Sequence, residues 1–187
     1  MRYKSDKKIL CIAPYKELIN EYKNIAASLR IEIRTFQGLM SDISELEKKV
    51  KNNGDVEVIV ARGATAVYLR DYFSFISVVE IPITTFDIIT SVLKAQKLGK
   101  KILLVGHKGY KAKFDQVYKI KQMFQDVLTL DTFLYPSGSE ECVKAKILSF
   151  GKNNEAVIVA GARWHQLAIR NNINSVLIES NKESIKE

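Results

Sequence analysis

The feature that most constrains how this 187-residue chain can fold is an internal repeat. Three apolar segments of the first half recur in the same order in the second half: 8–13 as 101–106, 58–61 as 157–160, and 78–81 as 176–179. Each recurrence lies 93 to 99 positions after its counterpart. Solenoid repeats are much shorter, about 20–50 residues. The repeat therefore indicates two copies of one domain.

Each copy contains four short runs rich in Val and Ile, which are typical of strands buried on both faces. We predict strands at about 9–13, 31–36, 57–61 and 77–81, and again at about 102–106, 131–135, 156–160 and 175–179. Segments with apolar side chains at helical spacing lie between the runs, including 15–29, the stretch that ends at Asn52, and 114–124. Strict alternation of strand and helix predicts two α/β/α lobes, each with a roughly four-stranded parallel sheet.

Four segments follow from this pattern. Residues 1–85 form a first lobe and 101–179 a second, and 86–100 form a connecting helix closed by Gly99. Residues 180–187 are expected to begin a C-terminal helix that leads to further modules or crosses back.

Charge and composition limit the classes of ligand and the cellular location. The net charge is +8, a positive field that attracts anions, although a solvated lysine-rich surface would give the same total. Only seven residues are Arg, and aromatics do not alternate with the basic residues, so a small anion is favoured over nucleic acid. Two cysteines exclude a disulfide scaffold and predict a cytoplasmic protein. No apolar run approaches the ~20 residues that span a bilayer, so no membrane partner is expected.

A ligand is expected at the carboxyl ends of the strands, where helix N-termini present unpaired backbone N–H groups. Small residues and hydroxyls at these turns would admit the ligand and add donors: Gly63, Ala64, Thr65, Thr84, Thr85, Ser137, Gly138, Gly161 and Ser180. Arg62, Arg163 and Lys108 would supply positive charge, and His107 is a further donor. The alternative for each hydroxyl is a plain helix N-cap, and for each glycine a plain turn.

Catalytic and metal-binding patterns are weak. Cys11 and Cys142 fall inside a predicted strand and a predicted helix, so both are expected to be inert buried thiols. His107 and His165 have no partnering nucleophile or carboxylate motif, and the two His and two Cys lack metal-ligand spacing. No P-loop occurs. We therefore predict no catalytic residue, no metal and no cofactor. Two alternatives stay open: a racemase-like or tetrapyrrole-related enzyme, and a dimerisation module without ligand.

Several segments resemble the N-terminal sensor domain of propionate catabolism activators (PrpR-type). The resemblance depends on the turn Arg62-Gly63-Ala64-Thr65-Ala66, on Val79-Glu80-Ile81-Pro82 through Phe86-Asp87-Ile88, and on a second-half signature from Ala160-Gly161-Ala162 to Ile178-Glu179-Ser180. It covers nearly the whole chain. The segment Arg163-Trp164-His165 departs from the small, Thr-containing turn of the family.

The resemblance implies a duplicated chelatase-like fold and a receptor role in a sigma-54-dependent transcriptional regulator of the NtrC type. In such regulators the sensor precedes an ATPase module and a helix-turn-helix DNA-binding module, and a homo-oligomer is expected. DNA binding and ATP binding would belong to those modules. The implied effector is 2-methylcitrate or a similar carboxylate, bound in a cleft between the lobes. The matched positions implied as contacts are Arg62, Gly63, Thr65, Thr85, Phe86, Gly161 and Ser180.

Overall fold

The first unit of the chain is built on a four-stranded parallel sheet. A computed structural model describes residues 8–38, 43–52, 56–111, 115–116, 129–136, 139–180 and 185, and its contacts divide the chain into two units. One unit comprises Met1–Ile83 with Ser180–Glu187. Its described elements are β1 (Lys8–Ala13), α1 (Lys16–Leu29), β2 (Ile33–Gln37), α2 (Ile43–Asn52), β3 (Val56–Arg62), α3 (Ala64–Tyr72) and β4 (Ser77–Ile81). The strands pair in the order β2-β1-β3-β4.

The second unit, Thr84–Glu179, repeats this sheet. Its described elements are α4 (Thr85–Gln96), β5 (Lys101–His107), a 3₁₀ turn (Lys108–Tyr110), β6 (Thr129–Tyr135), α5 (Glu140–Phe150), β7 (Ala156–Ala160), α6 (Ala162–Arg170) and β8 (Ser175–Leu177). All pairs are parallel, in the order β6-β5-β7-β8. The equal strand order in both units confirms the predicted duplicated α/β fold.

In the first unit, alternation along the strands supplies two apolar faces. Ile59 and Ala61 of β3 pack with residues of α2 and α3 on one face. Cys11 and Ala13 of β1 pack with residues of α1 on the other. Residue 185 also contacts this second face, which we call the α1 face. Burying one Leu or Ile side chain contributes about 1.5–3 kcal/mol, so the two faces account for much of the unit's stability.

In the second unit every residue of β7 is buried, as predicted for a strand with helices on both sides. Residues of α5 and α6 pack on one face of its sheet, while α4 contacts β5, β7 and β8. The first turn of α4 is fixed by a capping box: the Asp87 amide donates to the Thr84 hydroxyl at 3.1 Å, and the Thr84 amide donates to the Asp87 carboxylate at 2.9 Å.

Four local expectations need correction or fall outside the described residues. Cys142 is exposed rather than buried, because it lies on the outer side of α5. Leu29 ends the α1 stripe but is 61% exposed. Gly99 does follow α4, yet its φ is not positive; a Cβ there would overlap the carbonyl oxygen of Glu155, so close approach rather than a left-handed cap explains the glycine. The helix expected at 114–124 lies mostly outside the described residues.

Candidate ligand-binding site

The carboxyl end of β3 carries a buried arginine. Arg62 is the last residue of the strand and is only 7% exposed, which is unusual for this residue type. Ile59 and Ala61 face the core of α2 and α3, whereas Val60 packs on the α1 face. Since side chains alternate along a strand, the Arg62 side chain lies on the α1 face as well. The structure therefore holds a full positive charge beneath α1.

The next residue, Gly63, forms the N-cap of α3 in a backbone conformation suited to glycine. Its φ is 57° and its ψ −133°, and its amide donates to the carbonyl oxygen of Ile81 at 3.3 Å. Its carbonyl oxygen accepts from the amides of Ala66 and Val67. Because a glycine has no side chain to cap the helix, the amides at the first two positions, Ala64 and Thr65, remain for a water or an anion.

Three hydroxyl groups belong to the same face of the first unit. Tyr15 is the N-cap of α1, and its hydroxyl accepts from the amide of Ser180 at 3.3 Å. Tyr22 is two helical turns further along and is 4% exposed. Among the described residues, neither the Tyr22 hydroxyl nor the Ser180 hydroxyl has a hydrogen-bond partner, although both are buried.

Cys11, Arg62 and Tyr15 lie close enough to Tyr22 to act on the pKa of its hydroxyl. Burial raises the pKa of the Tyr22 hydroxyl, the Cys11 thiol raises that pKa further, and the Arg62 guanidinium opposes the rise. Burial also raises the pKa of the Cys11 thiol to about 12. Both groups are therefore protonated and neutral near pH 7. We call this set the α1-face polar cluster: Cys11, Tyr15, Tyr22, Arg62 and Ser180.

The candidates at the start of α4 belong to the second unit. The Thr84 hydroxyl serves as the helix cap described above. The Thr85 hydroxyl donates to the side-chain oxygen of Gln116 at 2.6 Å. Phe86 is 62% exposed. Thr84 therefore fits the alternative interpretation, a plain helix cap. Thr85 does not, because its hydroxyl bonds to Gln116 instead.

Arg163 forms an ion pair with Glu140. Two hydrogen bonds join the guanidinium to the carboxylate, one of them between Nη2 and Oε2 at 2.6 Å, in the bidentate arrangement that suits arginine. These bonds raise the pKa of Arg163 and lower that of Glu140. The guanidinium also lies 4.9 Å from the centre of the Trp164 ring. Most of the positive charge of Arg163 is therefore balanced within the protein.

Aromatic rings occupy the strand ends around this ion pair. The Trp164 indole N–H donates to the Tyr135 hydroxyl at 2.8 Å, and the two rings meet edge to face. The ring of His107, at the end of β5, meets Tyr135 in the same manner, and its Nδ1 accepts from the amide of Gly109. These packed rings leave less space at the strand ends of the second unit than small residues would.

The two units differ at one informative position. Gly63 and Gly161 are both N-caps of the helix that follows the third strand, and both carbonyl oxygens accept two helix amides. Ala61 and Ala160 match in the repeat. Arg62 stands between alanine and glycine in the first unit, whereas Gly161 follows Ala160 directly. The second unit therefore lacks a counterpart of the buried arginine.

The two histidines lie in separate surroundings of the second unit. His165 Nδ1 is 2.9 Å from the Ser175 hydroxyl, which donates to the carbonyl oxygen of Ile158. Because the Ser175 hydroxyl donates its proton to Ile158, the proton between His165 and Ser175 belongs to Nδ1, which donates to the Ser175 oxygen. Burial lowers the pKa of His165, and the Glu179 carboxylate partly offsets this effect.

The predicted site residues are therefore divided between the units. Arg62, Gly63, Ala64 and Thr65 are consecutive in the first unit, and Ser180 reaches the same face through Tyr15. Seven candidates belong to the second unit: Thr84, Thr85, Phe86, His107, Lys108, Gly161 and Arg163. Ser137 and Gly138 lie outside the described residues.

Sequence reasoning missed Tyr15 and Tyr22. Tyr22 falls in the apolar stripe of α1, a pattern that predicts a core position. The available signal is a pair of tyrosines seven residues apart, the first of them two residues after the end of β1.

Two other kinds of site are absent from the described parts of the chain. No group of three or more His, Cys, Asp or Glu residues there could hold a metal ion. No helix there is long and apolar enough to cross a membrane.

The fold and its strand-end turns define a class: duplicated α/β proteins with two parallel four-stranded sheets. Within this class, the family model described as "Propionate catabolism activator" matches residues 27–187, and the chain belongs to that family. The resemblance inferred from the Arg-Gly-x-Thr-Ala turn is thereby confirmed.

Among solved structures, an NtrC family transcriptional regulator from Clostridium acetobutylicum has a similar fold. Its TM-score is 0.81 at 24% identity, covering 97% of this chain and 92% of that chain. No curated protein sequence matches this chain.

Proposed function

We propose that this chain is the effector-sensing domain of a transcriptional regulator, and that it binds a small carboxylate at the strand ends of its first unit. Membership of the propionate catabolism activator family supports a regulatory role. The similar fold of an NtrC family transcriptional regulator agrees with it. The partners we propose are the ATPase and helix-turn-helix modules of a parent regulator, in a homo-oligomer in the cytoplasm.

The choice of site depends on one observation. Buried Arg62 directly precedes Gly63, the N-cap of α3, which has no side chain to cap the helix. A guanidinium can form two hydrogen bonds with a carboxylate, and helix amides add donors and a partial positive charge. The net charge of +8 would raise the local concentration of an anion.

The second unit is a poorer anion site by the same criteria. No residue stands between Ala160 and Gly161, so nothing at the end of its third strand corresponds to Arg62. We therefore place the main charge recognition in the first unit. The cleft between the lobes that the sequence predicted stays a prediction, as does 2-methylcitrate as the effector.

Sensing requires that the ligand favour one state of the protein over another, and the ligand can shift the equilibrium only by its differential affinity. Ser180 is the first residue of the C-terminal segment of the first unit. A ligand that changes the position of this segment would transmit its presence along the chain. We propose no catalytic step: His107 Nδ1 accepts from the Gly109 amide, and the Ser175 hydroxyl beside His165 donates to the carbonyl oxygen of Ile158.

The proposal is tested by the melting temperature of the protein with citrate, 2-methylcitrate, succinate and propionate. A ligand at 100 times its Kd should add about 2.7 kcal/mol of stability. Arg62→Gln should abolish that gain and Arg62→Lys should retain part of it, because lysine keeps the charge but not the paired donors.

Arg70→Gln is the matched control. Arg70 lies in the same unit at the other end of α3, is half exposed, and pairs with Glu80 at 3.7 Å. Its loss should alter stability by less than about 1 kcal/mol and leave ligand stabilisation intact. If no carboxylate raises the melting temperature of the wild-type protein, the sensing proposal is wrong.

A further inference from the structure

Two buried hydroxyl groups in the first unit indicate ligand contacts beyond those predicted from the sequence. The hydroxyls of Tyr22 and Ser180 are shielded from solvent and lack a hydrogen-bond partner within the described part of the chain. Buried polar groups are almost always hydrogen-bonded, since desolvation without compensation is costly. An exception therefore indicates that a bound water or a ligand completes the bonds.

Core packing alone explains these hydroxyls poorly. Tyr22 is 4% exposed and packs against Cys11, Leu18 and Ile19, contacts that a phenylalanine would make equally well. The hydroxyl adds nothing to that packing and adds a desolvation cost. A buried hydroxyl of this kind therefore points to an acceptor that the described residues do not supply.

The charge beside the hydroxyls indicates the kind of acceptor. Arg62 lies on the same face of the sheet and acts electrostatically on Tyr22. The raised pKa of Tyr22 keeps its hydroxyl protonated, so at physiological pH it can donate. Neutral donors combined with one guanidinium suit a carboxylate, which has two oxygens and accepts up to about four hydrogen bonds.

We propose that Tyr22 is a specificity-determining residue whose hydroxyl, together with that of Ser180, donates to a carboxylate of the anion recognised by Arg62. This inference rests on the proposed function and adds the hydroxyl donors to it.

A consequence concerns the C-terminal segment of the first unit. Ser180 begins that segment and already contacts α1 through the Tyr15 hydroxyl, and Ile185 packs on the α1 face. A carboxylate bound by Tyr22 and Ser180 would add a second link between α1 and this segment. Ligand binding would then fix Ser180 relative to α1.

The test is isothermal titration calorimetry with citrate and 2-methylcitrate as probes, on the wild-type protein and on Tyr22→Phe and Ser180→Ala. Loss of one buried hydrogen bond to a charged group should weaken binding about 10- to 100-fold in each variant. Tyr22→Phe should melt at or above the wild-type temperature without ligand, because it removes a hydroxyl that has no partner among the described residues.

Tyr68→Phe is the matched control: this tyrosine lies on α3, packs against the opposite core of the same unit, and stacks on Tyr72. Its affinity for the probes should equal that of the wild type.

The outcomes separate the two proposals. Probe binding by the wild type with unchanged affinity in Tyr22→Phe would overturn this inference, assign the buried hydroxyl to a water, and leave the proposed function standing. If the wild type binds neither probe, the proposed function fails and this inference fails with it. If Tyr22→Phe does not fold, Ser180→Ala decides, since an unchanged affinity there equally overturns the paired-donor arrangement.

Discussion

Gly63 and Gly161 allow a sharp test of how backbone conformation fixes the proposed site. They are equivalent N-caps in the two units. Gly63 has φ 57° and ψ −133°, whereas Gly161 has φ −66° and ψ 167°, an ordinary extended conformation. A Cβ built on Gly161 would have no heavy atom within 4 Å. The two positions therefore differ in whether an L-residue can readily adopt the backbone conformation.

Replacing Gly63 with alanine should lower the free energy of unfolding through backbone strain. A non-glycine residue forced into such a region costs about 1–3 kcal/mol. Gly161→Ala should not have this strain cost. The lower preference of alanine for the N-cap position reduces stability in both variants alike. We therefore expect Gly63→Ala to be less stable than Gly161→Ala by about 1–3 kcal/mol.

Urea denaturation followed by circular dichroism measures both variants against the wild type. The midpoint of Gly63→Ala should fall with little change in the slope, which would indicate a loss of stability rather than a change in exposed surface. Carboxylate binding should also weaken in Gly63→Ala, because relief of the strain would move the amides of Ala64 and Thr65. Equal losses in the two variants would refute the argument that the left-handed conformation of Gly63 is required.

Two further predictions concern titratable groups. Cys142 is exposed, whereas Cys11 is buried and its pKa is raised to about 12. A thiol reagent at pH 8 should therefore label Cys142 rapidly and Cys11 only after unfolding, which mass spectrometry of the peptides measures. Rapid labelling of Cys11 in the folded protein would contradict this prediction. Burial holds the pKa of His165 in the folded protein below its ordinary value of 6.5. The contribution of neutral His165 to the free energy of unfolding is therefore complete above pH 6.5 and is lost as pH falls through the pKa of the folded protein. Urea denaturation at pH 7.5 and pH 5.5 should show a smaller loss for His165→Gln than for the wild type; an equal loss would assign the pH dependence to other groups.

Strand positions were predictable because they depend on short-range patterns. The runs of Val and Ile predicted all eight strands within a few residues, and their recurrence predicted two units of the same topology. The boundaries differ where a helix end intervenes. β2 begins at Ile33 rather than at 31 because Arg30 adopts a left-handed φ of 57° and the amide of Ile31 still donates to α1.

Site residues were predictable only as residue types at strand ends. The sequence treated Arg62 and Arg163 as equivalent sources of charge. The structure buries the first and pairs the second with Glu140, a residue 23 positions away on another helix. Nothing in the local pattern around Arg163 indicates that partner.

The sequence by itself determined the duplication, the parallel α/β sheets and the turns at which a ligand would bind, since periodicity and turn chemistry are local properties of the chain. Tertiary structure alone decided which charges are balanced and which polar groups are buried. The Tyr22 hydroxyl shows why: the apolar stripe of α1 predicts a core position, but the absence of a partner within the described structure depends on how α1, β3 and Ser180 pack together. Burial and pairing are set by elements far apart in sequence, so no local pattern records them.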